Sequence, residues 1–151
     1  MKALLQRVSM AYVTAGQETL GRIGGGILVF LGIGMGDGPV QARDLAEKIV
    51  HLRIFEGLDG RFDLSLLDVK GEALVVSQFT LYADCRRGRR PSFSQAAPPE
   101  TARELYQVFL EELAAKGVKV ESGRFGEHME VSLVNDGPVT LMLEVRPPDG
   151  C

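Results

Sequence analysis

The sequence predicts a mixed α/β fold in which strands outnumber helices. Three observations predict it. Short apolar runs such as Ile27-Leu28-Val29-Phe30-Leu31 and Leu74-Val75-Val76 have the length and β-branched content of buried strands. Only two segments, around residues 39–52 and 98–116, repeat apolar residues at helical spacing. Single helices therefore separate groups of strands, an order compatible with two similar strand–helix halves.

Taken in order, residues 3–8 read as a strand, and residues 12–23 as a hairpin turning at Gly16-Gln17. Gly24-Gly25-Gly26 lacks the order, preceding strand and following helix of a dinucleotide fingerprint, so it reads as a hinge or bulge before a strand at 27–31. Asp37-Gly38-Pro39 opens the first helix, with Asp37 as its cap and Pro39 in its first turn. Ala42, Leu45, Ala46, Ile49 and Leu52 form its apolar stripe. Residues 56–63 read as loop. The strand through Leu74-Val75-Val76 runs on into Ser77-Gln78-Phe79-Thr80-Leu81, and residues 84–99 form a polar loop. Loops longer than about 12 residues in compact domains are commonly functional. The second helix starts at Pro98-Pro99-Glu100, buries Ala102, Leu105, Phe109 and Leu113, and stops at Gly117. A short strand at 118–121 follows, then strands at 129–134 and 139–145 separated by a turn at Asp136-Gly137-Pro138.

The 151 residues are expected to form one domain, 1–145, with a disordered tail at 146–151. A net charge of −3 argues against nucleic-acid binding over the whole surface and leaves room for a local basic patch. Two cysteines, Cys85 and Cys151, make neither a disulfide framework nor a zinc site, so no metal or cofactor is expected. Free thiols, a start without a signal-peptide pattern and no apolar run of membrane-spanning length fit a cytoplasmic protein.

Chemistry concentrates in three places. Ser77, Gln78, Phe79 and Thr80 put two hydroxyls and an amide at the end of an apolar strand. A hydroxyl nucleophile needs a base, usually histidine. The chain has only His51, beside a helix stripe, and His128, before a strand, and both read as ordinary surface or satisfied residues. Ser77 and Thr80 also read as ordinary strand residues. Any reaction here must proceed without a strong base. A base contributes about 10²–10⁴-fold, and one oxyanion donor about 10²–10³-fold. Backbone N–H groups and hydroxyls alone suffice for an activated ester but not for an amide or a phosphodiester. Second, Arg86, Arg87, Arg89 and Arg90 form a local anion site a few residues after Thr80, or else a solvated loop. Cys85 adjoins them, which keeps a cysteine hydrolase as a competing reading. Third, Gly137-Pro138 reads as a trans bond in a tight turn, since only about 5–6% of X-Pro bonds are cis.

The chain resembles the bacterial D-aminoacyl-tRNA deacylase family. The likeness runs through Leu5-Gln6-Arg7-Val8, Arg53-Ile54-Phe55, Val75-Val76-Ser77-Gln78-Phe79-Thr80-Leu81, Arg90-Pro91-Ser92-Phe93-Ser94, Gly123-Arg124-Phe125 and the stretch from Val131 to Thr140. It implies a barrel-like mixed sheet flanked by two main helices, and a homodimer. It implies hydrolysis of the ester between a D-amino acid, or glycine mischarged on alanine tRNA, and the terminal adenosine. In such proteins the Gly-Pro bond is cis. Residues like Gly137 and Pro138 enter the partner's pocket and exclude L side chains with their carbonyls, and a residue like Arg7 supports them. A residue larger than Gly137 is then expected to obstruct the pocket without unfolding the dimer. Ser77 to Thr80 would line the pocket, with N–H groups of Phe79 and Thr80 as oxyanion donors. The terminal 2′-hydroxyl would help to activate water, Thr80 being the alternative nucleophile. The arginine cluster, expected on acceptor-stem phosphates, is richer than that family suggests. A non-catalytic RNA-binding module is the remaining alternative.

Overall fold

The structure is a computed structural model and describes residues 1–148. The elements, in chain order, are β1 (Lys2–Ala15), β2 (Glu18–Ile23), β3 (Gly26–Gly32), α1 (Pro39–His51), β4 (Phe55–Glu56), β5 (Phe62–Leu64), β6 (Glu72–Ser77), a 3₁₀ turn (Phe79–Tyr82), α2 (Pro99–Ala115), β7 (Lys119–Ser122) and β8 (Glu130–Glu144). A six-stranded sheet runs β2-β1-β3-β6-β7, with β8 also paired to β1. Its long strands curl it into a mixed sheet nearly closed into a barrel.

The expected hairpin at residues 12–23 is the second half of a longer object. β1 is one 14-residue strand. Its first half pairs with β3, its second half with β2, and its other edge with β8 throughout. Gly16, at φ +58°, makes the turn expected there. β3, β6 and β7 are mutually parallel, so α1 and α2 are the crossovers of two β-α-β units sharing β6. The two strand–helix halves thus overlap in one strand. Gly26 has a specific reason to be glycine: a Cβ there would lie 1.9 Å from the Glu72 carbonyl oxygen, where β3 and β6 begin to pair.

The sheet buries both faces. Ala3, Leu5, Val29, Leu31 and Val75 pack on one face against Leu45, Ile49, Phe109 and Leu113 of the helices. Val8, Ala11, Val13, Leu28, Leu74 and Val76 lie on the other, covered by Leu20 of β2 and by Val131 and Leu133 of β8. The alternation along β1, β3 and β6 is what a strand with two buried faces requires. Phe109 is fully buried. Cutting such a residue back to alanine costs about 3–5 kcal/mol.

Four local expectations are corrected. Gly38 caps α1; the Asp37 carboxylate instead takes the buried Met1 ammonium at 2.7 Å and the Gly34 N–H at 2.7 Å. A charged amine outcompetes a helix N–H for a carboxylate. The expected loop at 56–63 contains the small β4–β5 hairpin, paired Phe55 to Leu64 and Glu56 to Phe62. β6 stops at Ser77, and the chain then tightens into the 3₁₀ turn instead of continuing as strand to Leu81. The two strands expected over residues 129–145 are one, β8 (Glu130–Glu144): both parts follow β1, and the Gly137-Pro138 bond between them is cis. Of the expected tail, Arg146 pairs with Glu144 at 3.0 Å. Residues 149–151, including Cys151, lie outside the described residues. No helix among the described residues is long and apolar enough to cross a membrane.

Candidate active site

A cavity of about 500 Å³ opens where β3 and β6 end. Leu31 and Ile33 come from the β3 end, and Val76 and Ser77 from the β6 end. Ala96, Ala97 and Ala102 are small enough to leave the space open beside α2, and Phe125, His128, Met129 and Val131 close the far wall. Gln78 and Phe79 stand at the rim. The polar end of an apolar strand therefore does face a hollow, as the order of residues in the chain suggests. Among the described residues, no group of three or more His, Cys, Asp or Glu side chains is placed to hold a metal ion.

The 3₁₀ turn sets the electrostatics of that rim. Gln78 N–H donates to Leu31 O at 2.8 Å, tying the turn to β3. The first N–H that the turn itself satisfies is that of Leu81, donating to Gln78 O at 3.2 Å. The N–H groups of Phe79 and Thr80 precede it and have no acceptor among the described residues, as the opening turn of any helix leaves them. Two main-chain donors thus stand free in the turn, at Phe79, which lines the cavity, and at the residue after it. The Gln78 amide donates to the Thr80 hydroxyl. That occupies the oxygen of Thr80 without offering its proton a base, because an amide nitrogen is not one. Thr80 is exposed and is absent from the cavity lining. Neither histidine bonds to Ser77 or Thr80. His51 pairs with Glu47 on the helix surface at 3.0 Å, and His128, unexpectedly, is an exposed part of the cavity wall. Cys85 is exposed and borders a different hollow with Met1, Asp37 and Tyr82, away from the rim residues.

The second polar construction is the bulge at 136–139. Gln6 pairs with Thr140 and Val8 with Asn135, so Arg7 alone faces the four residues from Asp136 to Val139. Arg7 is buried, 5% exposed, and its guanidinium fills the space. Nε donates to Asp136 O at 2.8 Å and Nη1 to Ile54 O at 2.8 Å. Glu56 Oε1 lies 3.6 Å from Nη2, and the Phe62 ring is stacked below. Arg7 thus joins the bulge to the β4–β5 hairpin. The neck is closed by Asn135, whose Oδ1 accepts from Val139 N–H at 2.8 Å and whose Nδ2 donates to Thr140 Oγ1 at 3.0 Å. Asn135 was visible in the sequence as part of the motif, but its bonding was not.

Gly137 and Pro138 crown the bulge and are exposed. Neither lines the cavity of its own chain. Ser77 shares a cross-strand row with Leu31 and Ala3, four residues from Arg7 along β1. The bulge is therefore roughly 13 Å away along the strands and roughly 14 Å across them, at about 3.3 Å per residue and about 4.8 Å per strand. A Cβ on Gly137, at φ +149°, would meet Val139 N at 2.8 Å and Arg7 Nη2 at 3.3 Å. This corrects the expectation for a larger residue at 137: the first obstruction is inside the bulge itself.

The arginine cluster is also less uniform than its sequence. Arg86 is bidentate on Asp84, at 2.9 and 2.7 Å, and holds that carboxyl at about 2. Arg87, Arg89 and Arg90 are exposed.

Comparison with known proteins first gives the structural class. The chain matches a solved structure described as a c-Myc DNA unwinding element binding protein with TM-score 0.90 and 42% identity, covering 97% of this chain and 100% of that one. A structure described as a probable eukaryotic D-amino acid tRNA deacylase has the same fold, with TM-score 0.83 at 19% identity, covering 95% and 98%. The family model for D-Tyr-tRNA(Tyr) deacylase matches residues 4–144, and the chain belongs to that family. Relatives described as D-aminoacyl-tRNA deacylase include those of Roseiflexus sp. (strain RS-1), 63% identical over 95% of this chain and 93% of the relative. That of Thermosipho africanus (strain TCF52B) is 54% identical over 97% and 98%.

Proposed function

We propose that the protein hydrolyses the ester joining a D-amino acid to the terminal adenosine of tRNA, with main-chain atoms reading handedness and polarising the acyl group. Membership of the deacylase family supports the coarse activity, that of a hydrolase acting on aminoacyl-tRNA esters. The finer reading rests on one observation: an exposed Gly137-Pro138 bulge, braced by Arg7 and Asn135, that does not line the cavity of its own chain. In a homodimer the bulge of one copy enters the cavity of the other. Its carbonyls then stand against the substituents of the substrate α-carbon and exclude an L side chain. Glycine has no side chain to exclude and passes, so glycyl esters, including glycine on alanine tRNA, are also cleaved.

The free N–H groups of Phe79 and Thr80 receive the negative charge that develops on the ester oxygen. Ser77 and Gln78 line the approach. Thr80 has no base beside it, so water is the nucleophile, and the 2′-hydroxyl of the terminal ribose assists its attack. An aminoacyl ester is activated enough for such a site. The work belongs to translation, hence to the cytoplasm.

The test is deacylation of D-Tyr-tRNA and L-Tyr-tRNA by the purified protein. Cleavage of the D ester with the L ester spared is expected. Equal rates on both would refute chiral exclusion by the bulge.

A further inference from the structure

The loop between the 3₁₀ turn and α2 carries a charge pattern that ester hydrolysis does not use. Asp84 and Ser92 exchange backbone hydrogen bonds of 2.8 and 2.9 Å, closing the segment between them, and Gly88 at φ +69° turns its tip. Arg86 is a strut inside it. Besides the bidentate pair with Asp84, its backbone N–H donates to Asp84 Oδ1 at 3.0 Å. That pairing uses both the Arg86 charge and the only carboxylate in the loop. Arg87, Arg89 and Arg90 make no hydrogen bond or ion pair among the described residues. A chain of net charge −3 therefore presents three unpaired guanidiniums on one closed loop.

The loop is rooted at the cavity. Phe93, just past its closure, packs edge-on against Phe79 with ring centroids 4.9 Å apart. Ala96 and Ala97, a few residues on, are part of the cavity wall. The segment that carries the arginines thus runs directly into the cavity wall.

We propose that this loop docks the phosphodiester backbone of the nucleic acid whose aminoacylated end occupies the cavity, with Arg87, Arg89 and Arg90 on phosphates and Arg86 bracing them. The proposal rests on the function proposed above and names how the rest of that substrate is held. Guanidinium forks match phosphate oxygens in geometry and charge. Backbone contacts carry register and affinity but no base sequence, so the loop serves many aminoacylated tRNAs alike. All four arginines looked equivalent in the sequence; the Asp84 pair leaves three to make contacts.

The experiment is kcat/KM for D-Tyr-tRNA between 50 and 200 mM monovalent salt, for the wild type and for the triple variant Arg87→Gln, Arg89→Gln, Arg90→Gln. Each phosphate contact on a duplex adds about 0.9 to the slope of log affinity against log salt. The variant is expected to raise KM at low salt and to flatten the slope by about 2.7. The wild-type advantage then shrinks about 40-fold over that fourfold range of salt. Parallel slopes overturn the docking role. Wild-type protein on D-tyrosyl-adenosine, which has no backbone phosphate for the loop, tests the hydrolytic reading separately. No turnover there sinks that reading, whereas turnover there combined with parallel slopes on tRNA sinks only the loop.

Discussion

Arg7→Met is the most direct perturbation of the bulge. The two side chains are close in length, so little packing is lost. What is lost is the pair of charge-assisted hydrogen bonds, both 2.8 Å, to the carbonyls of Asp136 and Ile54. The Ile54 bond is buried and the Asp136 bond partly so. Leaving a buried acceptor unmet costs about 1–3 kcal/mol. The neighbouring Glu56 is 3.6 Å away and more than half exposed, so its ion pair adds under about 1 kcal/mol. Water can partly satisfy the Asp136 carbonyl, and a net loss of about 3 kcal/mol follows. At about 2–4 °C per kcal/mol for a chain of this size, the midpoint of thermal unfolding should fall by about 6–12 °C. The bulge loses its inner anchor as well, so turnover of D-Tyr-tRNA should fall more than tenfold at a temperature where the variant is still folded. Arg7→Lys should be intermediate, since one ammonium cannot replace a planar fork holding two carbonyls. Thermal melts and paired D and L deacylation assays check both halves. An Arg7→Met protein that melts within 2 °C of the wild type, with its preference for the D ester intact, would show that Arg7 braces nothing.

Other consequences are equally open to measurement. Gly137→Ala places a Cβ 2.8 Å from Val139 N at φ +149°, so it should cost about 1–3 kcal/mol of stability. It should also cut activity at least tenfold; a variant that melts with the wild type and keeps full activity would contradict that close contact. Thr80→Ala should lower turnover less than removal of the terminal 2′-hydroxyl from the substrate does. A 2′-deoxy substrate cleaved at the normal rate would overturn the role given to that hydroxyl. Alkaline stability should report Tyr106, whose buried hydroxyl donates to Val75 O at 2.8 Å and is pushed up to about 12. Between pH 10 and 12 the unfolded chain releases this proton while the folded chain keeps it, so stability falls as pH rises through that window, by about 2–3 kcal/mol. Denaturant unfolding of wild type and Tyr106→Phe across that range should show the smaller decline in the variant.

Much of the fold was legible because its signals are local. Proline at the start of each helix, apolar residues at helical spacing and short β-branched runs act over a few residues, and both helices and most strands stand where those signals place them. The candidate site was legible as composition: Ser77 to Phe79 do border a cavity, and the Gly137-Pro138 motif does sit in a special backbone geometry. Misreadings arose where distant groups compete with local preference. Asp37 has the side chain of a helix cap, but the Met1 ammonium lies within reach and binds it more strongly. Asp136-Gly137-Pro138 has the residues of a turn, but β1 is long enough to pair on both sides of it, so the chain bulges and continues. Arg86 resembles its neighbours until Asp84 is seen to hold it.

Residue order and composition were enough for both helices, for most of the strands, and for the polar strand end at Ser77 that borders the cavity. Folding in three dimensions was needed to bring Arg7 to the carbonyl of Asp136, to roof the ends of β3 and β6 with Phe125 to Val131, and to leave the bulge exposed and outside the lining of its own cavity. The reason is physical: periodicity and propensity act within a few residues, whereas pairing β1 to β8 and satisfying buried carbonyls depend on which distant groups the closed sheet brings into contact.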